Sequence, residues 1–137
     1  MLIWMLQGKE MDYVIDSNIW IEFFDNRNYF DSVSGMLINN EVFINKIILA
    51  ELIPSAKKNN ENELIECLYG IEQLELNIDW DEIIQIQWNC IKKGINKLGL
   101  LDIAIAQNAM QNNVGIFTLN RHMILLCKLM RIECRKS

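Results

Sequence analysis

Short apolar runs alternate along this chain with longer segments in which apolar residues recur every three or four positions. The short runs favour buried β-strands, and the longer segments favour amphipathic helices. Strands are predicted at 13–15, 41–44, 74–78 and 115–119, with an edge strand at 131–134. Because helices and strands alternate, the pattern predicts an α/β fold around a mainly parallel sheet of four to five short strands.

Polar residues at the segment boundaries place the predicted helices between these strands. Helices are expected from Ser17, over 30–38, from Asn45, over 61–70, from Asp79 or Asp81, over 100–110 and over 122–130. Asn45 is typical of an N-cap, because its side-chain oxygen can accept a hydrogen bond from a free N–H of the first turn. Pro54 is expected to end or kink the helix that Asn45 begins, since its ring clashes with the carbonyl four residues earlier.

The length of 137 residues suits one domain with a proper hydrophobic core. Residues 1–11 are interpreted as a leader outside the fold, without the basic region and cleavage site of a signal peptide. Residues 12–137 then form a single domain. No apolar run reaches the ~18 residues that a membrane span needs.

The charge and the cysteines narrow the chemistry that the chain can perform. The formal net charge of −5 has the wrong sign for gripping nucleic acid by bulk charge, so any such chemistry is expected at a local site with metal ions. The four cysteines form no C-x-x-C pair and the chain has one His, which argues against a structural zinc site. They are typical of reduced cysteines in a cytoplasmic protein.

Three acidic residues and one Asn are predicted to meet at one edge of the sheet. Asp16 closes the first strand, and Glu51 lies in the second turn of the helix that leaves the second strand. Asp102 opens the helix that runs antiparallel to the fourth strand, and Asn120 lies just past that strand. Element order therefore brings all four to the carboxyl ends of the strands, where open α/β folds bind ligands.

Carboxylates held together at such an edge repel one another, by roughly 4 kcal/mol per contact pair at 4 Å and an effective dielectric near 20. A bound cation relieves this repulsion. Ligands that offer only oxygen suit Mg²⁺ or Mn²⁺ better than zinc. Such an ion can polarise a phosphoryl group and activate a water, and the number of ions stays open.

Each of these residues has a simpler structural interpretation. Asp16 and Asp102 could cap their helices, and Asn120 could be a turn residue. Glu51 lies among apolar neighbours, where a buried unpaired charge would be costly, unless it occupies the exposed position of its turn. One shared site explains the three acids together, whereas the structural interpretations need a separate reason for each.

The residues next to these positions are candidates for substrate or supporting contacts. Ser17 and Asn18 are most often helix-start residues, and a water-mediated metal contact is the weaker alternative for Ser17. His122 is interpreted as a helix-start or substrate-side residue in preference to a general base. Arg121 is a candidate for contact with phosphate groups.

Four segments resemble the motifs of PIN-domain proteins, in the same order and at similar spacing from Asp12 to the C-terminus. Residues 14–21 (VIDSNIWI) resemble the opening strand of the family, and residues 48–52 (ILAEL) resemble its Glu-bearing helix. Residues 99–106 (GLLDIAIA) are similar to the third motif, and residues 117–123 (FTLNRHM) are similar to the closing strand and loop.

This resemblance implies a three-layer α/β/α fold and the activity of a VapC-like toxin. Such a toxin is a Mg²⁺- or Mn²⁺-dependent endoribonuclease, often a homodimer, and a cognate antitoxin neutralises it. The implied catalytic residues are Asp16, Glu51 and Asp102, with Asn120 as a further metal ligand. Many members of the family carry Asp where this chain has Asn120, and a neutral ligand there would weaken a second metal site.

Two other functions stay open at this point. A PIN-fold binding protein could have lost catalysis through Asn120. A phosphatase with Asp16 as nucleophile is less favoured, because such enzymes normally use a second Asp two residues on, where this chain has Asn18.

Overall fold

The computed structural model describes residues 11–136, and their elements follow the predicted order. The strands are β1 (Tyr13–Ile15), β2 (Val42–Ile44), β3 (Glu72–Gln73), β4 (Gly115–Phe117) and β5 (Cys134–Arg135). The helices are α1 (Ser17–Asn26), α2 (Phe30–Ile38), α3 (Lys46–Lys58), α4 (Asn62–Gly70), α5 (Trp80–Lys92), α6 (Leu100–Gln111) and α7 (Arg121–Met130). Apart from Met11, the predicted leader lies outside the described residues.

The five strands form one parallel sheet in the order β3-β2-β1-β4-β5, within a three-layer α/β/α fold. From β1 the chain moves first to one side of the sheet and later to the other. The carboxyl ends of β1 and β4 therefore flank the point at which the strand order reverses, which is the place where open sheets bind ligands.

The centre of the sheet is tightly packed, although its strands are short. Val14, Ile15, Ile116 and Phe117 are fully buried. A side chain at Gly115 would come within 2.5 Å of the Tyr13 ring and 2.9 Å of the Glu133 carbonyl oxygen. Glycine at this position lets β4 approach its neighbours closely.

The predicted third strand at 74–78 is wrong in both place and length, because β3 covers only Glu72–Gln73. The first residue of that segment, Leu74, keeps a backbone hydrogen bond to β2, and the residues after it are fastened to α6 by amide side chains. Asn108 donates to the Glu75 carbonyl at 3.0 Å, and Gln111 donates to the Asn77 carbonyl at 2.8 Å. The alternation of apolar and polar residues over 74–78 is the same whether the backbone carbonyls of the segment accept hydrogen bonds from a neighbouring strand or from the side chains of a helix.

Of the two outcomes expected for Pro54, the end of the helix is wrong, since α3 continues to Lys58, and the kink stays a prediction. The proline removes one hydrogen bond to the carbonyl of Ala50, but both residues are exposed, so water can reach that carbonyl. On the opposite side, Ile53 and Ala56 are buried, and their packing holds the helix together across the proline.

No helix among residues 11–136 is both long enough and apolar enough to cross a membrane.

Candidate metal centre

Asp16 lies at the junction between β1 and α1, in the middle of the sheet edge. Its backbone N–H donates to the Phe117 carbonyl of β4 at 2.9 Å, which extends the strand pairing by one residue. Its side chain is only 4% exposed, and Oδ1 accepts a hydrogen bond from the Ser17 N–H at 2.9 Å as the cap of α1. The capping interpretation of Asp16 is therefore confirmed.

The second carboxylate oxygen of Asp16 is held by Thr118, which directly follows β4. The Thr118 hydroxyl donates to Oδ2 at 2.8 Å, and the side chain is fully buried. Asn18 also donates to this oxygen, at 3.4 Å, while its own amide oxygen accepts the Leu119 N–H at 3.1 Å. The carboxylate is thus fixed in orientation by the end of β4 on one side and by the first turn of α1 on the other.

Burial raises the pKa of Asp16 above its usual range. The hydrogen bonds from Thr118 and Ser17 oppose this effect by stabilising the charged form, and the charge of Asp102 adds to it. The result is a carboxylate that is well hydrogen-bonded but poorly solvated and close to a second negative charge.

Glu51 lies on α3 with its side chain exposed, so the argument that burial makes this glutamate unusual is wrong. Its pKa is nevertheless raised, first by partial desolvation and then by the charges of Asp16 and Asp102. The side chain therefore occupies the solvent-facing position of its turn and still lies within electrostatic range of both aspartates.

Asp102 is the third residue of α6 and caps the start of that helix. Its Oδ2 accepts the Gly99 N–H at 3.0 Å, so the capping interpretation holds for this aspartate too. Its charge still reaches Asp16 and Glu51, whose pKa values it raises. Capping and membership of one acidic cluster are compatible, because the cap uses only one carboxylate oxygen.

The chemistry of this cluster suits a hard divalent cation, since every donor is oxygen. The carboxylates do not, however, form a closed cage. Among residues 11–136, no group of three or more His, Cys, Asp or Glu side chains is close enough to hold one metal ion. The arrangement is an open rim of mutually repelling charges.

Asn120 and its neighbours lie at the start of α7. The Asn120 amide oxygen accepts N–H groups from His122 at 2.9 Å and Met123 at 3.2 Å, so it serves the helix cap, and its role as a metal ligand stays a prediction. His122 is partly buried, and its Nδ1 has no hydrogen-bond partner within the described part of the chain. Arg121 is exposed.

A buried amide pair, which the sequence analysis missed, links the two helices that carry Glu51 and Asp102. Asn45 accepts the Ile48 N–H at 3.0 Å as the cap of α3, and it donates to the Asn108 oxygen of α6 at the same distance. The signal for this pair in the sequence is the amide step Gln107-Asn108 within the largely apolar middle of α6.

Thr118, the other residue that the sequence analysis missed, supports a direct prediction about stability. Replacing it with Val keeps the shape but removes the hydroxyl from Asp16, so unfolding at neutral pH should become easier by about 1–3 kcal/mol. Urea titration checks this, with Thr118→Ser as the control that keeps the hydroxyl. The loss in the free energy of unfolding should be smaller at acidic pH, because a protonated Asp16 no longer forms a charge-assisted hydrogen bond with the Thr118 hydroxyl. Equal losses in both variants would assign the effect to packing.

Comparison with known proteins identifies the family model that fits this chain. A model described as PIN domain matches residues 13–129. No curated protein sequence matches significantly.

Several solved structures have a similar fold. The chain is similar to VapBC2 from Rickettsia felis bound to a DNA fragment from their promoter, with 20% identity, a TM-score of 0.72 and coverage of 91% of this chain and 98% of that chain. DNA-bound VapBC from Salmonella typhimurium gives 21% identity and a TM-score of 0.72, covering 92% and 98% of the two chains. VapBC-1 from nontypeable Haemophilus influenzae gives 26% identity and a TM-score of 0.63, with the same coverage.

Proposed function

We propose that this chain, which belongs to the PIN-domain family, is a divalent-metal-dependent endoribonuclease and the toxin of a toxin–antitoxin pair. The observation that carries the proposal is that the Asp16 carboxylate is held by Thr118 at the carboxyl end of the central strand, where the charge of Asp102 raises its pKa and where both aspartates raise the pKa of Glu51. Helix capping accounts for Asp16 and Asp102 singly, but three carboxylates within range of one another repel unless a cation or a proton balances them.

The proposed ligands are the three carboxylates, with Asn120 as a fourth. Asp16 is suited to direct contact because its orientation is fixed by Thr118. The exposed side chain of Glu51 is free to rotate toward a bound ion. Since Mg²⁺ usually keeps several of its waters, some of these oxygens would act through water, which is compatible with an open rim.

When bound, Mg²⁺ or Mn²⁺ would supply Lewis-acid polarisation of the scissile phosphate and a more acidic water. The protein itself contributes the fixed orientation of Asp16 and the negative field that attracts the ion. Arg121 is exposed beside the rim at the start of α7, and we assign it to contact with the RNA phosphates. Ser17, Asn18 and His122 are assigned to supporting or substrate contacts.

The proposed partners follow from the family and from the neighbouring structures. Three of the similar structures are of VapBC proteins, and two of these contain DNA. We therefore propose a cognate antitoxin as protein partner, a homodimer as the assembly and RNA as the substrate. The net charge of −5 is compatible with this substrate if recognition relies on local contacts and on the shape of the RNA.

The direct test is cleavage of a folded RNA by the purified chain with Mn²⁺ or Mg²⁺. The substitution Glu51→Gln should lower the rate by about 10- to 100-fold, because it removes one charge from the ion's surroundings while keeping the side-chain shape. A matched control is Glu63→Gln, an exposed glutamate in the first turn of α4, which should cut at the wild-type rate. Equal rates for wild type and Glu51→Gln would contradict the proposed site.

One observation favours a second candidate, a PIN-fold binding protein without catalysis. The Asn120 oxygen is occupied by two N–H groups of its own helix, which leaves fewer ligands for a metal. Calorimetry with Mn²⁺ separates the two candidates. A folded chain that binds no divalent ion and cuts no RNA would favour the binding protein.

A further inference from the structure

Two of the four cysteines lie side by side at one edge of the sheet. Cys127 lies near the end of α7, and Cys134 begins β5. The Cys127 side chain is fully buried, whereas Cys134 is partly exposed. Both are free thiols, and the Cys127 thiol donates a hydrogen bond to the sulfur of Cys134. The two sulfur atoms are therefore neighbours in the folded chain.

A short turn after α7 brings the two cysteines together. Arg131 follows the helix in the left-handed conformation, with a φ of 59°, which reverses the direction of the chain. The Ile132 N–H then donates to the Cys127 carbonyl at 2.8 Å, so the turn is closed onto the end of the helix. On its other side, Cys134 pairs with β4 in the sheet. The backbone thus holds both thiols in place.

Hydrogen bonds connect this cysteine pair to the contacts that hold Asp16. The Cys134 thiol donates a long hydrogen bond of 4.0 Å to the Arg135 carbonyl, and the same carbonyl accepts the Thr118 N–H at 3.1 Å. Thr118 in turn donates its hydroxyl to Asp16. The pair therefore lies on the strand that supports the candidate metal centre, although neither cysteine belongs to that centre.

The other two cysteines lack a thiol neighbour. Burial alone raises the pKa values of Cys67 and Cys90, and no second thiol contributes to either shift among residues 11–136. Two reduced thiols that touch each other are the arrangement from which a reversible disulfide forms in a chain that is otherwise free of disulfides. Only Cys127 and Cys134 meet this condition within the described part of the chain.

We propose that Cys127 and Cys134 form an oxidation site, at which a small-molecule disulfide converts the two thiols into an internal disulfide that ties β5 to α7. This inference goes beyond the proposed function and does not depend on the nuclease activity.

The reaction is a thiol–disulfide exchange in two steps. Burial raises the pKa values of both thiols, but for Cys134 the hydrogen bond from Cys127 opposes this effect, and Cys134 is also the more exposed of the two. The Cys134 thiolate attacks one sulfur of the small disulfide, and the other sulfur leaves as a thiolate that takes up the proton from Cys134.

The second step closes the internal bond. Cys127 loses its proton and attacks the Cys134 sulfur, which releases the second half of the small disulfide as a thiolate that takes up this proton. The protein loses two electrons and two protons, and the small disulfide is reduced to two thiols. Because the buried Cys127 reacts only with its neighbour, the product is a link within one chain.

Peptide mapping of the full chain after incubation with oxidised glutathione tests the site. Trypsin digestion without reductant should yield residues 122–128 linked to residues 132–135. A double variant, Cys67→Ser with Cys90→Ser, keeps the pair and should give the same link, with the mass of the intact chain lower by two hydrogen atoms. Stable glutathione adducts on Cys134 without the link, a link to Cys67 or Cys90, or a covalent dimer through Cys134 would each overturn the proposal.

The melting temperature shows whether the link fits the native fold. Oxidised wild type should melt roughly 5 °C above its reduced form, because the disulfide restricts the unfolded chain, and dithiothreitol should reverse the shift. Cys134→Ser is the matched control, since it keeps a side chain of similar size and should melt at the same temperature with and without oxidised glutathione. A linked wild type that melts below its reduced form would show that the bond forms only by distorting the fold, which would also overturn the proposal.

Discussion

Replacing Asp16 with Asn is expected to lower the rate of RNA cleavage by about 100- to 1,000-fold while making the metal-free protein more stable. The loss of activity has the size seen when one preorganised group is removed from a charged reaction centre. Asn keeps one oxygen, which can still accept the Ser17 N–H at the cap of α1, while its amide N–H can donate to the Thr118 hydroxyl instead of accepting from it. The substitution therefore changes the charge of the site more than its shape.

The gain in stability follows from the direction of the Asp16 pKa shift. Burial raises this pKa in the folded protein above its value in the unfolded chain, so the folded state holds the proton more tightly. Stability then falls as pH rises through the interval between the two pKa values, and the penalty is complete above the folded pKa. At neutral pH wild type carries this penalty and Asp16→Asn does not, so the variant should melt a few degrees higher.

Thermal melts and cleavage rates measured without and with Mn²⁺ check both parts of this prediction. Asp25→Asn is the matched control, because Asp25 is an exposed aspartate on the same helix, and it should change neither quantity. An Asp16→Asn variant that is both inactive and less stable would show that Asp16 is mainly structural. An Asp16→Asn variant that cuts RNA at the wild-type rate would exclude Asp16 from the site.

The sequence analysis could predict which edge of the sheet carries Asp16 and Asp102, because that location depends on element order. Asp16 follows a buried run of three residues, and Asp102 begins a helix that must return to the same edge of a parallel sheet. Once the apolar pattern predicts which segments are parallel strands, their carboxyl ends must all lie at the same edge of the sheet. Side-chain contacts were not needed for that step.

Contacts between side chains distant in the chain could not be predicted in the same way. Thr118 is an ordinary residue after a strand until Asp16 is placed 2.8 Å from its hydroxyl. Glu51 was expected to be unusual because of its apolar neighbours, yet a helix turn among aliphatic residues still has a solvent side. The strand predicted at 74–78 is wrong for a related reason. The side chains of Asn108 and Gln111 donate hydrogen bonds to this segment, and its alternating pattern cannot reveal such donors.

Addition of Mn²⁺ is expected to stabilise wild type by roughly 2.7 kcal/mol when the ion is present at about 100 times its dissociation constant, which corresponds to a melting temperature roughly 10 °C higher. The ion relieves the repulsion among Asp16, Glu51 and Asp102 in the folded state only. Chelation with EDTA should reverse the shift and lower RNA cleavage to the level of the buffer alone. In Asp16→Asn, most of the stabilisation should be lost.

The same measurement at lower pH gives the sharper test, because protons and cations compete for the same oxygens. The pKa values of Asp16 and Glu51 are both raised, Asp16 by burial and Glu51 by desolvation and by its acidic neighbours. Stabilisation by Mn²⁺ should therefore weaken at a higher pH than for ordinary exposed carboxylates, while the metal-free protein gains stability over the same interval. The melting temperatures measured with and without Mn²⁺ should therefore approach each other as the pH falls. If the difference in melting temperature stayed constant down to the pH at which ordinary exposed carboxylates take up protons, the ion would bind elsewhere on the chain.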